Sequence, residues 1–135
     1  MTKEINLRNT SNKVSSNYIS KISEIAGEKV KNIIIEATVI DHKNIEIDKG
    51  IVTLLKLKDS SGTIDGMLIG KRDDEHKALV QSIENNNTYK FRGTVVKAEA
   101  EYLAELETLT KSQLSIKDYI TEERMICISA LEKSL

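Results

Sequence analysis

Two pairs of cations sit where a strand would hold them on one side. Lys56 and Lys58 alternate with Leu55 and Leu57, and Lys90 and Arg92 alternate with Tyr89 and Phe91. Successive side chains of a strand point to opposite faces, so each pair shares a face turned away from its apolar neighbours. Rows of ammonium and guanidinium groups suit the phosphates of a polynucleotide. Lys43 and Lys49 precede the first pair, Lys71 and Arg72 follow the next apolar run, and Lys97 ends the second segment. These residues are the candidate phosphate contacts. The competing expectation is a solvated strand face whose lysines discourage edge pairing.

Bases also need planar groups to lie on, and these are scarce: four Tyr, one Phe and no Trp. Tyr89 and Phe91 fall on the apolar side of their strand and are expected in the core. Tyr102 is then the best stacking candidate, with Arg92 and Met67 as weaker substitutes. Few stacks imply modest affinity, steep salt dependence and little sequence preference, with several subunits along one strand.

Catalytic groups are sparser still. His42, His76 and Cys127 are isolated in the sequence. Asp73, Asp74, Glu75 and His76 are consecutive, and consecutive helical residues diverge, so they do not converge on one ion. Acidic residues there suit the positive end of a helix dipole. No glycine-rich phosphate loop is present. The expectation is a binding protein with no catalytic residue, metal or cofactor. A single cysteine, no apolar run near 20 residues and a polar start point to the reducing cytoplasm.

The elements that must position these residues follow from periodicity. Residues 1–29 are read as a flexible N-terminal tail and a short amphipathic helix. Ile19, Ile22 and Ile25 form its stripe and Gly27 ends it. The stripe needs a partner, either the rest of this chain or a neighbouring subunit, which makes these three the self-association candidates. Residues 30–135 form the main domain. Strands are expected at 33–40, 51–58, 63–69, 88–97 and 124–131, with 41–50 a loop that Ile45 and Ile47 could extend into a hairpin arm. Asp59 to Gly62 reads as a turn. Helices are expected at 72–84, 99–110 and briefly from Ser115 through Glu123. Five strands with a helix between the third and fourth is the order of the OB-fold, a mainly β barrel. A two-layer α+β sheet is the competing architecture.

Charge is uneven. The net is −1, but residues 1–98 hold 16 Lys and Arg against 13 Asp and Glu, while residues 99–135 hold 4 against 8. A basic front and an acidic back are compatible with local attraction of a polyanion.

The stretch LKLKDSSGTIDGMLI at 55–69, followed by YKFRGTVV at 89–96, resembles nucleic-acid-binding OB domains. Similar stretches occur in replication protein A, in the OB domain of Gram-positive DNA polymerase III and in OB domains of exoribonucleases. The resemblance spans about residues 33–97. The whole chain also resembles the small single-stranded DNA-binding proteins of Gram-positive conjugative plasmids and phages. That resemblance implies a groove across strands two and three, lined by Lys43, Lys49, Lys56, Lys58, Lys71, Arg72, Lys90, Arg92, Lys97 and Tyr102. It implies single-stranded DNA as partner, in replication, repair or conjugative transfer. Two other functions stay open: an RNA- or tRNA-binding module, and a protein adaptor marked by an apolar outward patch at Leu54, Met67 and Ile69.

Overall fold

The structure is a computed structural model that describes residues 18–25, 30–47, 50–71, 74–108 and 116–134. Five strands dominate: β1 (Val30–Ile47), β2 (Gly50–Lys58), β3 (Thr63–Lys71), β4 (Thr88–Lys97) and β5 (Arg124–Lys133). Helix α1 (Asp74–Gln81) joins β3 to β4, and α2 (Ala100–Glu107) and α3 (Ile116–Tyr119) lie between β4 and β5. The strands close into a barrel in the order β1-β2-β3-β5-β4, with β4 returning to β1. All neighbours are antiparallel except β3 and β5. This is the five-stranded OB-fold.

Alternation explains most of the barrel. Tyr89, Phe91 and Val95 point inward from β4, as do Leu55 and Leu57 from β2 and Ile35, Ala37 and Val39 from β1. Tyr89 and Phe91 belong to the core, as their spacing suggests. The Tyr89 hydroxyl donates to Ser82 O at 2.9 Å and accepts from Glu84 N at 2.8 Å, which ties the end of α1 to the barrel. Leu79, Val80 and Ile83 pack into that interior. Asn86 (φ 71°) then turns the chain in the left-handed region, which asparagine tolerates better than most residues.

Strand β1 is much longer than its sequence suggests, and residues 41–47 are strand rather than loop. A bulge between Val39 and Asp41 inserts Ile40, and pairing then continues to Ile47 opposite Gly50. Lys43 and Asn44 therefore sit on a strand. The turn after β2 matches expectation. One Asp59 oxygen accepts from Ser61 N, Ser61 Oγ and Gly62 N, at 2.7, 2.6 and 3.0 Å.

The segment before the barrel differs from expectation. A helix starting near Asn17 and ending at Gly27 is the expectation; among the described residues 18–25 a single 3₁₀ turn, Ile22–Glu24, stands there, and Asn17 and Gly27 lie outside the described residues. Ile22 is wholly buried and Ile25 nearly so, both within this chain's own barrel core. Only Ile19 is exposed, at 39%. The three isoleucines do not make a shared subunit-facing stripe, because two of them seal the end of the barrel. The segment is held by polar bonds as well. Ser20 N donates to Ile34 O at 2.7 Å, Ile22 N to Asp59 Oδ2 at 2.8 Å, and the Arg124 guanidinium donates to the carbonyls of Ile22 and Ile25 at 3.1 and 2.8 Å. The expected flexible tail at 1–16 lies outside the described residues.

Asp59 gives this attachment a pH dependence. Partial burial pushes its carboxyl up, but the bonds from Ser61, Ile22 N and Gly62 N outweigh that and hold it below its ordinary value. A depressed folded-state pKa contributes stability above the unfolded value, which is lost as pH falls through the folded one. We expect stability to decline below about pH 4, with a shallower decline in Asp59→Ala. Urea midpoints measured from pH 6 to pH 2.5 check this; parallel curves for the two proteins would contradict it.

Candidate nucleic-acid interface

The outward side of the barrel carries a second apolar cluster. Ile45, Ile47, Val52, Leu54, Met67 and Met125 point away from the interior and are buried under Leu103 and Leu106 of α2 and Ile116 of α3, with Ile120. Strand β2 is thus apolar on both faces, which is why its first half does not alternate. Leu54 and Met67 are 0% and 2% exposed. The outward patch that would mark an adaptor is therefore capped by the chain itself. Burying four aliphatic side chains stabilises such a cap by roughly 1.5–3 kcal/mol each before entropic losses. One base stack contributes about 1–3 kcal/mol.

A buried carboxylate fastens the cap. Asp65, outward on β3 and 0% exposed, accepts from Lys56 Nζ at 2.7 Å, Thr121 N at 2.8 Å and Glu122 N at 2.9 Å. Lys56 Nζ also donates to Thr121 Oγ1 at 2.9 Å and lies 5.0 Å from the centre of the Tyr119 ring. The Tyr119 hydroxyl donates to Asp41 Oδ2 at 3.0 Å. Burial, then the Asp41 carboxylate, raise the Tyr119 phenol well above the ordinary tyrosine range, so it stays a donor. Lys117 N donates to Glu107 Oε2 at 2.8 Å and links α3 to α2.

The candidate cations fall into separate groups. Lys58 pairs with Thr38, Lys56 with Asp41, and Leu54 with Lys43. Residues directly opposite in an antiparallel pair share a face, so Lys58, Lys56 and Lys43 occupy successive steps of the outward β1–β2 ribbon. Lys43 and Lys58 are exposed, while Lys56 is matched by Asp65 and is not a free cation. Lys90 and Arg92 lie across β1 from this ribbon. Lys90 sits between Glu36 and Glu132 in register, and Arg92 between Ile34 and Ala130. Arg92 Nε is buried without a hydrogen-bond partner. The four heads expected in one groove are therefore split by β1, and two of them have acidic neighbours. Lys97 is exposed opposite Arg124. Lys71 ends β3 opposite Gly50. Lys49 and Arg72 lie outside the described residues.

Tyr102 is not an open platform. It packs against the second cluster, and burial followed by interactions with Cys127 raise its phenol above the ordinary range. The residues that sequence reading passed over are Asp65, Asp41, Ile40 and Tyr119. Asp65 did leave a signal: it is the only charge in the apolar run 63–69. No helix among the described residues is long and apolar enough to cross a membrane.

No protein-family model matches the chain, and no curated protein matches it in sequence. Among solved structures it is similar to the aspartyl tRNA synthetase from Entamoeba histolytica, with 14% identity and a TM-score of 0.56 over 98% of this chain and 26% of that one. A weaker likeness, at 18% identity and a TM-score of 0.46, joins 78% of it to 18% of a chain described as an aspartyl-tRNA synthetase from Leishmania major Friedlin. The chain spans about a quarter of the first protein and less of the second. At this identity the first likeness bears on fold alone, and that fold is the OB barrel.

Proposed function

We propose that this chain binds single-stranded nucleic acid along the outward β1–β2 ribbon, without catalysing a reaction. DNA is the first ligand to test, in the setting of replication, repair or conjugative transfer, with several subunits along one strand. The observation that carries this reading is the placement of two exposed lysines, Lys58 and Lys43, on one face of the β1–β2 ribbon, either side of the Lys56–Asp41 pair. OB barrels hold oligonucleotides across strands two and three; here α2 and α3 cover that face at Leu54 and Met67, which leaves the β1–β2 edge beside it as the open part. An RNA or tRNA ligand is the second reading. The likeness over 98% of this chain to part of an aspartyl tRNA synthetase favours it.

Fluorescence anisotropy with labelled oligo-dT, oligo-U, folded tRNA and duplex DNA tests both. Two phosphate contacts, from Lys43 and Lys58, give a single strand a log–log salt slope of about −1.4, or roughly sevenfold weaker binding between 50 and 200 mM salt. Preference for oligo-dT supports the first reading, and preference for oligo-U or tRNA the second. Absence of binding to all four at 50 mM salt overturns both.

A further inference from the structure

We propose that Tyr119 and Ile40 form a base-binding subsite at the rim of the α2–α3 cap, flanked by Lys43 and Lys58; this rests on the nucleic-acid reading above. Three independent features meet there. Ile40 is 46% exposed, one of three large hydrophobic side chains that are exposed among the described residues. It occupies the β1 bulge between Val39 and Asp41. Bulges commonly re-aim a side chain beside a functional site. The next residue, Asp41, holds the Tyr119 hydroxyl at 3.0 Å, so the ring is anchored next to the bulge.

The ring is preorganised. Its hydroxyl is fixed by Asp41, and the Lys56 ammonium lies 5.0 Å from its centre. A base stacking there would not need to order the ring first. Tyr119 is half-buried, neither open like Tyr18 nor enclosed like Tyr89. The flanking charges have the right sequence along the ribbon. Lys58, opposite Thr38, lies two pairs before the bulge, and Lys43 lies two residues beyond Asp41, opposite Leu54. Two-residue steps are about 7 Å apart along a strand. Both flanking lysines are exposed, and neither makes an ion pair among the described residues. The ligand this chemistry recognises is an unstacked base with a phosphate on either side. An aromatic ring and an aliphatic side chain grip a base without reading its edge, so sequence preference stays low.

The chain has no Trp, so its ultraviolet emission comes from its four tyrosines. The test uses the full chain with oligo-dT, following label anisotropy and tyrosine emission together. Binding should quench tyrosine emission. Tyr119→Ala should weaken binding about tenfold and remove most of the quenching, whereas Tyr119→Phe should bind within about twofold of the parent. Ile40→Ser, at an exposed position, should weaken binding about threefold. Circular dichroism establishes folding of each variant. Parent binding with no tyrosine quenching, or with folded Tyr119→Ala and Ile40→Ser both at parental affinity, overturns the subsite and leaves the nucleic-acid reading standing. If Tyr119→Ala does not fold, the parent's quenching and Ile40→Ser decide the matter by themselves. Failure of the parent to bind any strand overturns the reading and the subsite together.

Discussion

Gly93→Ala should prevent the barrel from closing. Gly93 lies on β4 at the register shift against β5, in line with Ile33 on β1 and Ile128 on β5. A Cβ built there would overlap the backbone carbonyl oxygen of Cys127 and sit 3.0 Å from Ile128 Cα. Its neighbours are main-chain atoms of a paired strand, so no rotamer change can make room. Either β5 moves outward and gives up its ladder, or the bulge shifts and turns Arg92 inward. Overpacking in a core costs about 1–3 kcal/mol when side chains can yield. Here the backbone must yield, and we expect about 3 kcal/mol or more. Domains have only about 5–15 kcal/mol in total, so such a variant is close to unfolding at room temperature. Gly70→Ala is the useful comparison. Its added carbon would strike the buried His76 ring, so the neighbour that must shift is a side chain rather than a paired strand's backbone. Urea unfolding should rank parent above Gly70→Ala above Gly93→Ala; a Gly93→Ala midpoint equal to the parent's would refute the close approach.

Asp65→Ala should loosen the cap and lower stability by about 3–5 kcal/mol, the range found when one partner of a buried ion pair is removed. The substitution strands three donors at once: the Lys56 ammonium and the amides of Thr121 and Glu122. Lys56 is 26% exposed on its side chain and can turn to water, so most of the loss comes from the two amides and the cavity. Lys56→Met should cost less, because Asp65 keeps both backbone donors. Cys127 reports where the damage lies, since it packs against the second cluster near Tyr102. Its reaction with a disulfide reagent should accelerate in Asp65→Ala while the barrel's circular dichroism is retained. A change under 1 kcal/mol by urea unfolding, with parental thiol reactivity, would show that the cap does not depend on this carboxylate.

The barrel was legible in the sequence wherever one face of a strand is wet. At Leu55–Lys58 and Thr88–Lys97 a strict alternation declares both the strand and its inward side. It failed where both faces are covered. Leu54 and Leu55 break the alternation because Leu55 faces the interior and Leu54 faces α2 and α3. The second half of β1 was hidden by its polar residues, since Asp41, Lys43 and Asn44 resemble a loop until their pairing is known. The isoleucine stripe at 19, 22 and 25 has helical spacing, but three residues cannot distinguish an amphipathic helix from a turn that drops two of them into a barrel mouth. The site was legible only in part. Lysines on alternating positions declare a face, yet nothing in the sequence shows that Asp65 neutralises Lys56 or that Asp41 brings Tyr119 to the ribbon. Those partners are 9 and 78 residues away.

The two-sided burial of β2 also shapes how this chain reaches its native state. During synthesis the β1–β2–β3 meander emerges first, carrying apolar side chains on both surfaces and open hydrogen-bonding edges. Its inner surface waits for β4 and β5, and its outer surface waits for α2 and α3. Closure joins segments far apart along the chain, so refolding is expected on the millisecond-to-second scale of non-local β topologies. In that interval the exposed meander is prone to pair with other copies of itself, and holding chaperones or a low concentration should raise the yield of refolded protein.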